Sequence, residues 1–307
     1  MPFFGSHAIV FHGQRLYHGA LCPPDAMLSY RHAFHAGNHA DVLKHYIFWQ
    51  ILDYYRQKDK PFVVIDTHAG AGLYDLGAAE AQKNHEYRQG IARLRAAKTL
   101  SAPLAAFLRA VDDSLPESGL YPGSPWLVAS LLREADRLHA YELHPRDHEH
   151  LAANLAHFRL GRRLRIARDN GFKGLIGELP PATRRAVVLI DPPYEDKNDY
   201  QQVFTTLVRA QKRFASGCYI VWYPALQNPW SAAFAEELAL DFGDNYLHAR
   251  LDVCAPSADG YGMHGSGLFI VNPPWTLAAD LEERLPELQT LLAQDKHAAF
   301  QLDFHIP

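Results

Sequence analysis

Ala186-Val-Val-Leu-Ile190-Asp191-Pro192-Pro193-Tyr194 is the stretch on which the reading of this chain turns. Five apolar, mostly branched residues read as a buried strand of a parallel sheet, and the two prolines forbid its extension. Such a strand delivers a carboxylate, two constrained prolyl carbonyls and an aromatic ring to the carboxyl edge of a sheet. Open α/β sheets bind their ligands at that edge.

Asp191-Pro-Pro-Tyr194 in this position resembles motif IV of amino-group methyltransferases, which act on the exocyclic amine of adenine or cytosine. The residue types suit that chemistry. An exocyclic amine is a poor nucleophile because its lone pair is delocalised into the ring. Asp191 can accept one N–H and the carbonyl of Pro192 the other, turning the lone pair toward a methyl donor, while Tyr194 can stack on the base. Catalysis of this kind is mostly positioning and fixed dipoles. The bland alternative is a strand that ends in a Pro-Pro turn by chance. A second tetrapeptide, Asn272-Pro273-Pro274-Trp275, also follows an apolar run and matches the form found in protein-glutamine and some base methyltransferases. Its place near the C-terminus, with only a helical tail expected beyond it, marks it as the end of the last strand.

The 307 residues accommodate one large α/β domain or a domain with a small insertion, and 48% hydrophobic content is ample for a core. Cys22, Cys218 and Cys254 share no metal-ligand spacing, which suits a reducing cytoplasm better than a disulfide framework. No apolar run reaches the ~18 residues of a membrane helix. A net charge of −4 argues against a protein that grips nucleic acid over its whole surface. Local basic faces remain available at Arg162-Arg163-Leu-Arg165-Ile-Ala-Arg168, Arg184-Arg185 and Lys212-Arg213.

Residues 1–26, rich in Gly and His, lack the basic start and sustained apolar core of a signal peptide and read as a weakly ordered extension. Asn38 followed by Asp41 predicts a capped helix running to about Gln57 and burying Leu43, Ile47 and Ile51. His35, His39 and His45 do not make a metal site, because Gly37 and Asn38 interrupt the helix that would align them and no third ligand has the right spacing. His45 can face a cofactor from this helix. Phe62–Ile65 reads as the next strand, followed at once by Asp66-Thr-His68-Ala-Gly70-Ala-Gly72. Glycines there let the backbone approach a cofactor closely, and an acid opening the loop suits the amine-bearing end of S-adenosylmethionine. The next strand ending in an acid, Leu138–Glu142, lies some 70 residues on rather than the ~20 of a plain Rossmann unit, so an insertion intervenes. Residues 76–120 have helical spacing, with breaks at Ser101-Ala-Pro103 and Leu115–Gly119. Glu142 can accept both ribose hydroxyls, and Asp169-Asn170-Gly171 after the following strand suits the cofactor adenine.

Together, the run from Met27 through Tyr30-Arg31-His32 to Lys44-His45, Asp66–Gly72, Tyr121-Pro-Gly-Ser124-Pro, Glu142-Leu-His-Pro145, Asp191–Tyr194, Trp222-Tyr-Pro224 and Asn272–Trp275 resemble the bacterial 23S ribosomal RNA adenine-N6 methyltransferases that modify a single adenine. The resemblance implies a Rossmann-like S-adenosylmethionine-dependent methyltransferase fold formed by residues 27–75 and 121–307, with 76–120 as an inserted small helical subdomain. It implies that His45, His68, Ser124 and Glu142 contact S-adenosylmethionine, that Asp191 is catalytic, and that Tyr30 touches RNA. Arg31 is then placed to meet a phosphate. The family has Asp-Gly where this chain has Asp169-Asn170-Gly171, which leaves open which side chain reaches the cofactor adenine. The expected partner is free or partly assembled 23S rRNA, met by a cytoplasmic monomer. A DNA adenine or protein-glutamine methyltransferase, or a non-catalytic RNA-binding module, are the competing readings. The last is disfavoured by the presence of Asp66, Gly70, Gly72, Glu142 and Asp191.

Overall fold

Asn38 has extended backbone and its side chain accepts the amide of Asp41, which starts helix α1 (His39–Arg56) where the capping pattern places it. The helix buries Val42, Leu43, Tyr46, Ile47, Phe48 and Ile51 and is followed by β1 (Val63–Asp66). The computed structural model describes residues 31–307, which form one compact unit; Tyr30 and residues 1–26 lie outside the described residues.

After β1 come β2 (Leu73–Asp75), α2 (Ala79–Asn84), α3 (Ile91–Ala96), α4 (Ala102–Asp113) and β3 (Leu120–Pro122). β2 and β3 pair antiparallel as a separate two-stranded ribbon. The helices between them bury Ile91, Leu94, Leu104, Phe107 and Val111 in the same apolar cluster as α1. The chain then forms α5 (Ser124–Leu131), β4 (Arg137–Tyr141), α6 (Pro145–Leu155), β5 (Leu164–Ala167), α7 (Gly171–Glu178), β6 (Ala186–Ile190), α8 (Lys197–Arg213), β7 (Cys218–Ala225), α9 (Pro229–Phe242), β8 (Tyr246–Asp252), β9 (Gly265–Val271), α10 (Leu277–Leu292) and β10 (Ala299–His305).

Eight strands form one sheet in the order β10-β8-β9-β7-β6-β1-β4-β5. β5, β4, β1, β6 and β7 are parallel, and β9 inverts the direction against both β7 and β8. Every residue of β6 is buried, as a strand covered by helices on both faces requires. This is a mixed α/β fold built on a central, Rossmann-like sheet. The expected helical tail is corrected: β9 is not the last strand, because β10 adds antiparallel to β8 at the edge of the sheet. Phe300, Leu302 and Phe304 alternate along it at the two-residue period of a strand, although most of β10 is exposed. No helix among the described residues is long and apolar enough to cross a membrane.

Candidate active site at the carboxyl edge

The parallel register brings the ends of β1, β4, β5 and β6 to one edge, and with them Asp66, Glu142, Asp169 and Asp191. Asp66 is fully buried. Its Oδ2 accepts Ser124 Oγ at 2.7 Å and its Oδ1 the amide of His68 at 3.3 Å. Burial pushes this carboxyl up to about 7 against the opposing pull of the Ser124 hydrogen bond, with nearby Asp191 adding to the rise. Gly70 and Gly72 both have left-handed φ, at 59° and 79°. A Cβ on Gly70 would come within 2.3 Å of the Tyr74 hydroxyl. Gly70 also donates its amide to Glu142 Oε2 at 2.8 Å, tying the loop after β1 to the acid after β4. Glu142 Oε1 accepts the amide of His144 at 2.7 Å. Burial raises the Glu142 carboxyl despite these hydrogen bonds.

His45 is completely buried on α1, with Nδ1 at 2.9 Å from the Tyr121 hydroxyl and Nε2 without a partner among the described residues. Burial pushes it down to about 3, so its imidazole is neutral. His68 packs edge-on against Phe172, and its Nδ1 lies 2.8 Å from Thr67 Oγ1. Asn170 caps α7, its side chain accepting the amide of Lys173 at 3.1 Å. Asp169 is exposed, and among the described residues its side chain accepts only its neighbour's amide. A Cβ on Gly171 would sit 1.9 Å from the Thr67 carbonyl, so glycine lets α7 dock on the β1 loop.

At the end of β6, Asp191 is joined by a residue that sequence reasoning missed. Lys44 Nζ lies 2.8 Å from Asp191 Oδ2 and 2.9 Å from Asp41 Oδ1. Asp41 Oδ2 in turn lies 2.9 Å from His32 Nε2 and accepts the Gly37 amide at 2.9 Å. Burial opposes the charge on Lys44, but Asp191 and Asp41 outweigh it and hold the ammonium well above the ordinary lysine range. Burial likewise opposes ionisation of Asp41, yet His32 and Lys44 hold its carboxyl well below the usual range. Asp191 thus has Oδ2 committed to a cation and Oδ1 without a protein partner among the described residues. No local pattern announces Lys44, because its partner is 147 positions away.

The ring of Tyr194 is buried in an aromatic cluster. It is 5% exposed and packs among Tyr200, Trp222 and Phe234, and its hydroxyl donates to the Trp222 carbonyl at 2.7 Å. Trp222 is the half-buried ring beside the site, with Lys44 Nζ 5.7 Å from its centroid. Arg31, expected to face a phosphate, has its guanidinium 3.4 Å from Glu80. The expectation for Tyr30 falls outside the described residues. Asn272 emerges at the opposite edge of the sheet, since β9 is antiparallel to β7. Its amide is spent on the carbonyls of Ala215 and Gly217, at 2.7 and 2.8 Å, and it accepts from Asn245. No group of His, Cys, Asp and Glu side chains among the described residues could hold a metal ion.

Residues 59–305 match the family model described as "Ribosomal RNA large subunit methyltransferase D, RlmJ". The chain belongs to the RlmJ family. It is 43% identical to Ribosomal RNA large subunit methyltransferase J of Escherichia coli K12, over 87% of this chain and 94% of that protein. The protein of the same name from Haemophilus influenzae is 39% identical, over 92% of this chain and all of its own length. Protein LPL1258 from Legionella pneumophila, a crystal structure, superposes with a TM-score of 0.80 at 31% identity, covering 88% of this chain and 98% of its own. This RlmJ-family chain is therefore an rRNA methyltransferase, and its family and fold imply S-adenosylmethionine as methyl donor.

Proposed function

We propose that the chain transfers a methyl group from S-adenosylmethionine to N6 of a specific adenine in 23S rRNA, with Asp191 as the residue that orients the amine. The residues at the carboxyl edge fit the donor. Asp66 offers a buried carboxylate to its ammonium, Glu142 retains lone pairs for the ribose hydroxyls, and the orphaned Nε2 of His45 is a buried polar atom in need of a partner. Ser124 and His68 hold and flank Asp66, and Gly70 and Gly72 leave room for close approach. At the cofactor adenine we assign Asp169, because the side chain of Asn170 is occupied as a helix cap and Gly171 brings the helix onto the loop.

When bound, S-adenosylmethionine supplies an electrophilic methyl group on a sulfonium. The protein's part is geometric. Asp191 Oδ1 accepts one N–H of the adenine amine and the Pro192 carbonyl the other, which fixes the direction of the nitrogen lone pair. Lys44 engages Oδ2 and restrains the carboxyl group, so that Oδ1 serves as a positioned hydrogen-bond acceptor rather than a strong base. The extra proton carried by the methylated nitrogen leaves to solvent past Oδ1. Because Tyr194 is packed away, we assign it to holding the turn, and Tyr30 and Arg31 to contacts with the RNA. Residues 76–120 are proposed as an inserted subdomain, supported by the chain leaving on β2 and returning on the adjacent β3.

The observation that carries this reading is Asp191 Oδ1, left open at the end of the central strand while Oδ2 is clamped by Lys44. The test is mass spectrometry of 23S rRNA from a strain lacking the gene, complemented with wild type or with Asp191→Ala. N6-methyladenosine should return only with the wild type. A full return with Asp191→Ala would overturn the assignment of the catalytic residue.

A further inference from the structure

The three basic pairs that lie far apart in the sequence meet at the other edge of the sheet. Parallel topology places the segment before every parallel strand on one side, so Arg162 before β5, Arg137 at the start of β4, Lys58 and Lys60 before β1, Arg184 before β6 and Lys212 before β7 form one row. All six are exposed, and none forms an ion pair among the described residues. Five neighbouring strands at the usual spacing make the row about 19 Å long. The exposed carboxylates in these connections are Asp59 and Glu134, and Asp241 and Asp244 beyond β7 bound the row. For a chain of net charge −4, this is a marked local excess of cations.

At its centre is a cleft of about 780 Å³ lined by Tyr54, Tyr55, Lys58, Lys60, Arg184 and Pro274, among others. Arg185, at its floor, is structural: it donates to the carbonyls of Tyr55 and Lys60 and stacks on the Tyr55 ring. Beside the cleft, Trp275 follows Pro274 and is 71% exposed. A row of unpaired cations with an accessible aromatic ring is the combination that tracks a single-stranded phosphate backbone and stacks its bases.

We infer that this amino edge is a second RNA-binding surface, which holds a strand of the rRNA substrate away from the adenine being methylated. It rests on the rRNA methyltransferase reading above. The two edges are one strand length apart, roughly 15 Å, so an RNA that reaches both must fold past the side of the sheet. A short hairpin filling the catalytic edge alone would leave the row unused.

The test uses the full chain carrying Lys58→Glu, Arg162→Glu and Arg184→Glu together. A control with the same charge change elsewhere carries Lys98→Glu, Arg109→Glu and Lys296→Glu. Filter binding to in-vitro-transcribed 23S rRNA between about 50 and 200 mM salt, with methyl transfer on the same RNA, gives both readouts. The edge variant should bind at least ~10-fold more weakly, with its log–log salt slope smaller by about two to three, as three lost phosphate contacts require. Its KM for the RNA should rise, while turnover at saturating RNA, affinity for S-adenosylmethionine and melting temperature stay at wild-type values. Equal weakening in the control, or an unchanged slope in the edge variant, would overturn the inference. So would loss of binding to anionic phosphatidylserine vesicles with RNA binding intact, which would assign the row to a membrane. Failure of the catalytic reading is separately visible, as wild-type protein that binds the RNA but transfers no methyl group.

Discussion

Asp66 converts burial into a pH dependence. Its carboxyl titrates at about 7 in the folded chain, against ~3.9 when unfolded. Between those values the folded protein holds a proton that the unfolded chain has released. The associated stabilisation is complete below the unfolded pKa and is lost as pH rises through the folded one. A bound ammonium reverses the preference by favouring the carboxylate. Affinity for S-adenosylmethionine should therefore climb by up to ~10-fold per pH unit below neutrality and level off above it, whereas Asp66→Asn should bind weakly at every pH. Calorimetric titration across this range checks it, and a flat wild-type profile would remove Asp66 from the contact. Asp41 is the other sensitive point, and it is buried. It supplies one of the two counter-charges of Lys44 while also holding Gly37 and His32. Asp41→Asn preserves shape but leaves Lys44 under-compensated, so urea denaturation should show a loss of about 3 kcal/mol, the lower end for breaking a buried pair. Turnover should fall with it, because Lys44 would no longer be fixed against Asp191.

Among the elements, α1 is the one whose start determines the site. Asn38 accepts the Asp41 amide at 3.0 Å and donates to Glu86 at 3.0 Å, fixing the first turn of the helix that carries Lys44 and His45. Asn38→Ala should cost about 1–2 kcal/mol in urea denaturation and reduce turnover more than it raises the Kd for RNA. Normal turnover at that stability loss would show that the cap is not coupled to Lys44. This helix and the strand β6 were legible because capping chemistry and a β-branched run are local signals. What was not legible had non-local causes. β2 and β3 are only three residues each and exist through their pairing. β10 alternates apolar residues but sits exposed at an edge, where its pairing with β8 leaves no strong hydrophobic signal. The Lys44–Asp191 pair depends on a contact that no window of sequence contains. Tyr194 could be identified from its motif, but not its orientation, which the surrounding aromatic cluster decides.

For the molecule as a whole, the buried cluster and the exposed row should respond differently to ionic strength. Lys44 and Asp191 are shielded from solvent, with side chains 5% and 13% exposed, so added salt screens them little. Turnover at saturating RNA should stay nearly constant as salt rises, while the KM for RNA increases steeply. Steady-state kinetics over a salt series separates the two, and a parallel decline in turnover would mean that the catalytic pair is solvent-accessible.

The inverted direction of β9 also bears on how such chains are read in general. Asp191-Pro-Pro-Tyr and Asn272-Pro-Pro-Trp are nearly indistinguishable as text, yet they end strands that point in opposite directions. Connection length carries the missing information. β6 is reached from β5 across a helical crossover, as strands running in the same direction in one sheet require, whereas the antiparallel neighbours β8 and β9 are joined by a loop of twelve residues, 253–264, without a helix. A Pro-Pro-aromatic tetrapeptide is thus informative about base chemistry only after the polarity of its strand has been established, and a short, helix-free approach to that strand is grounds for setting the match aside.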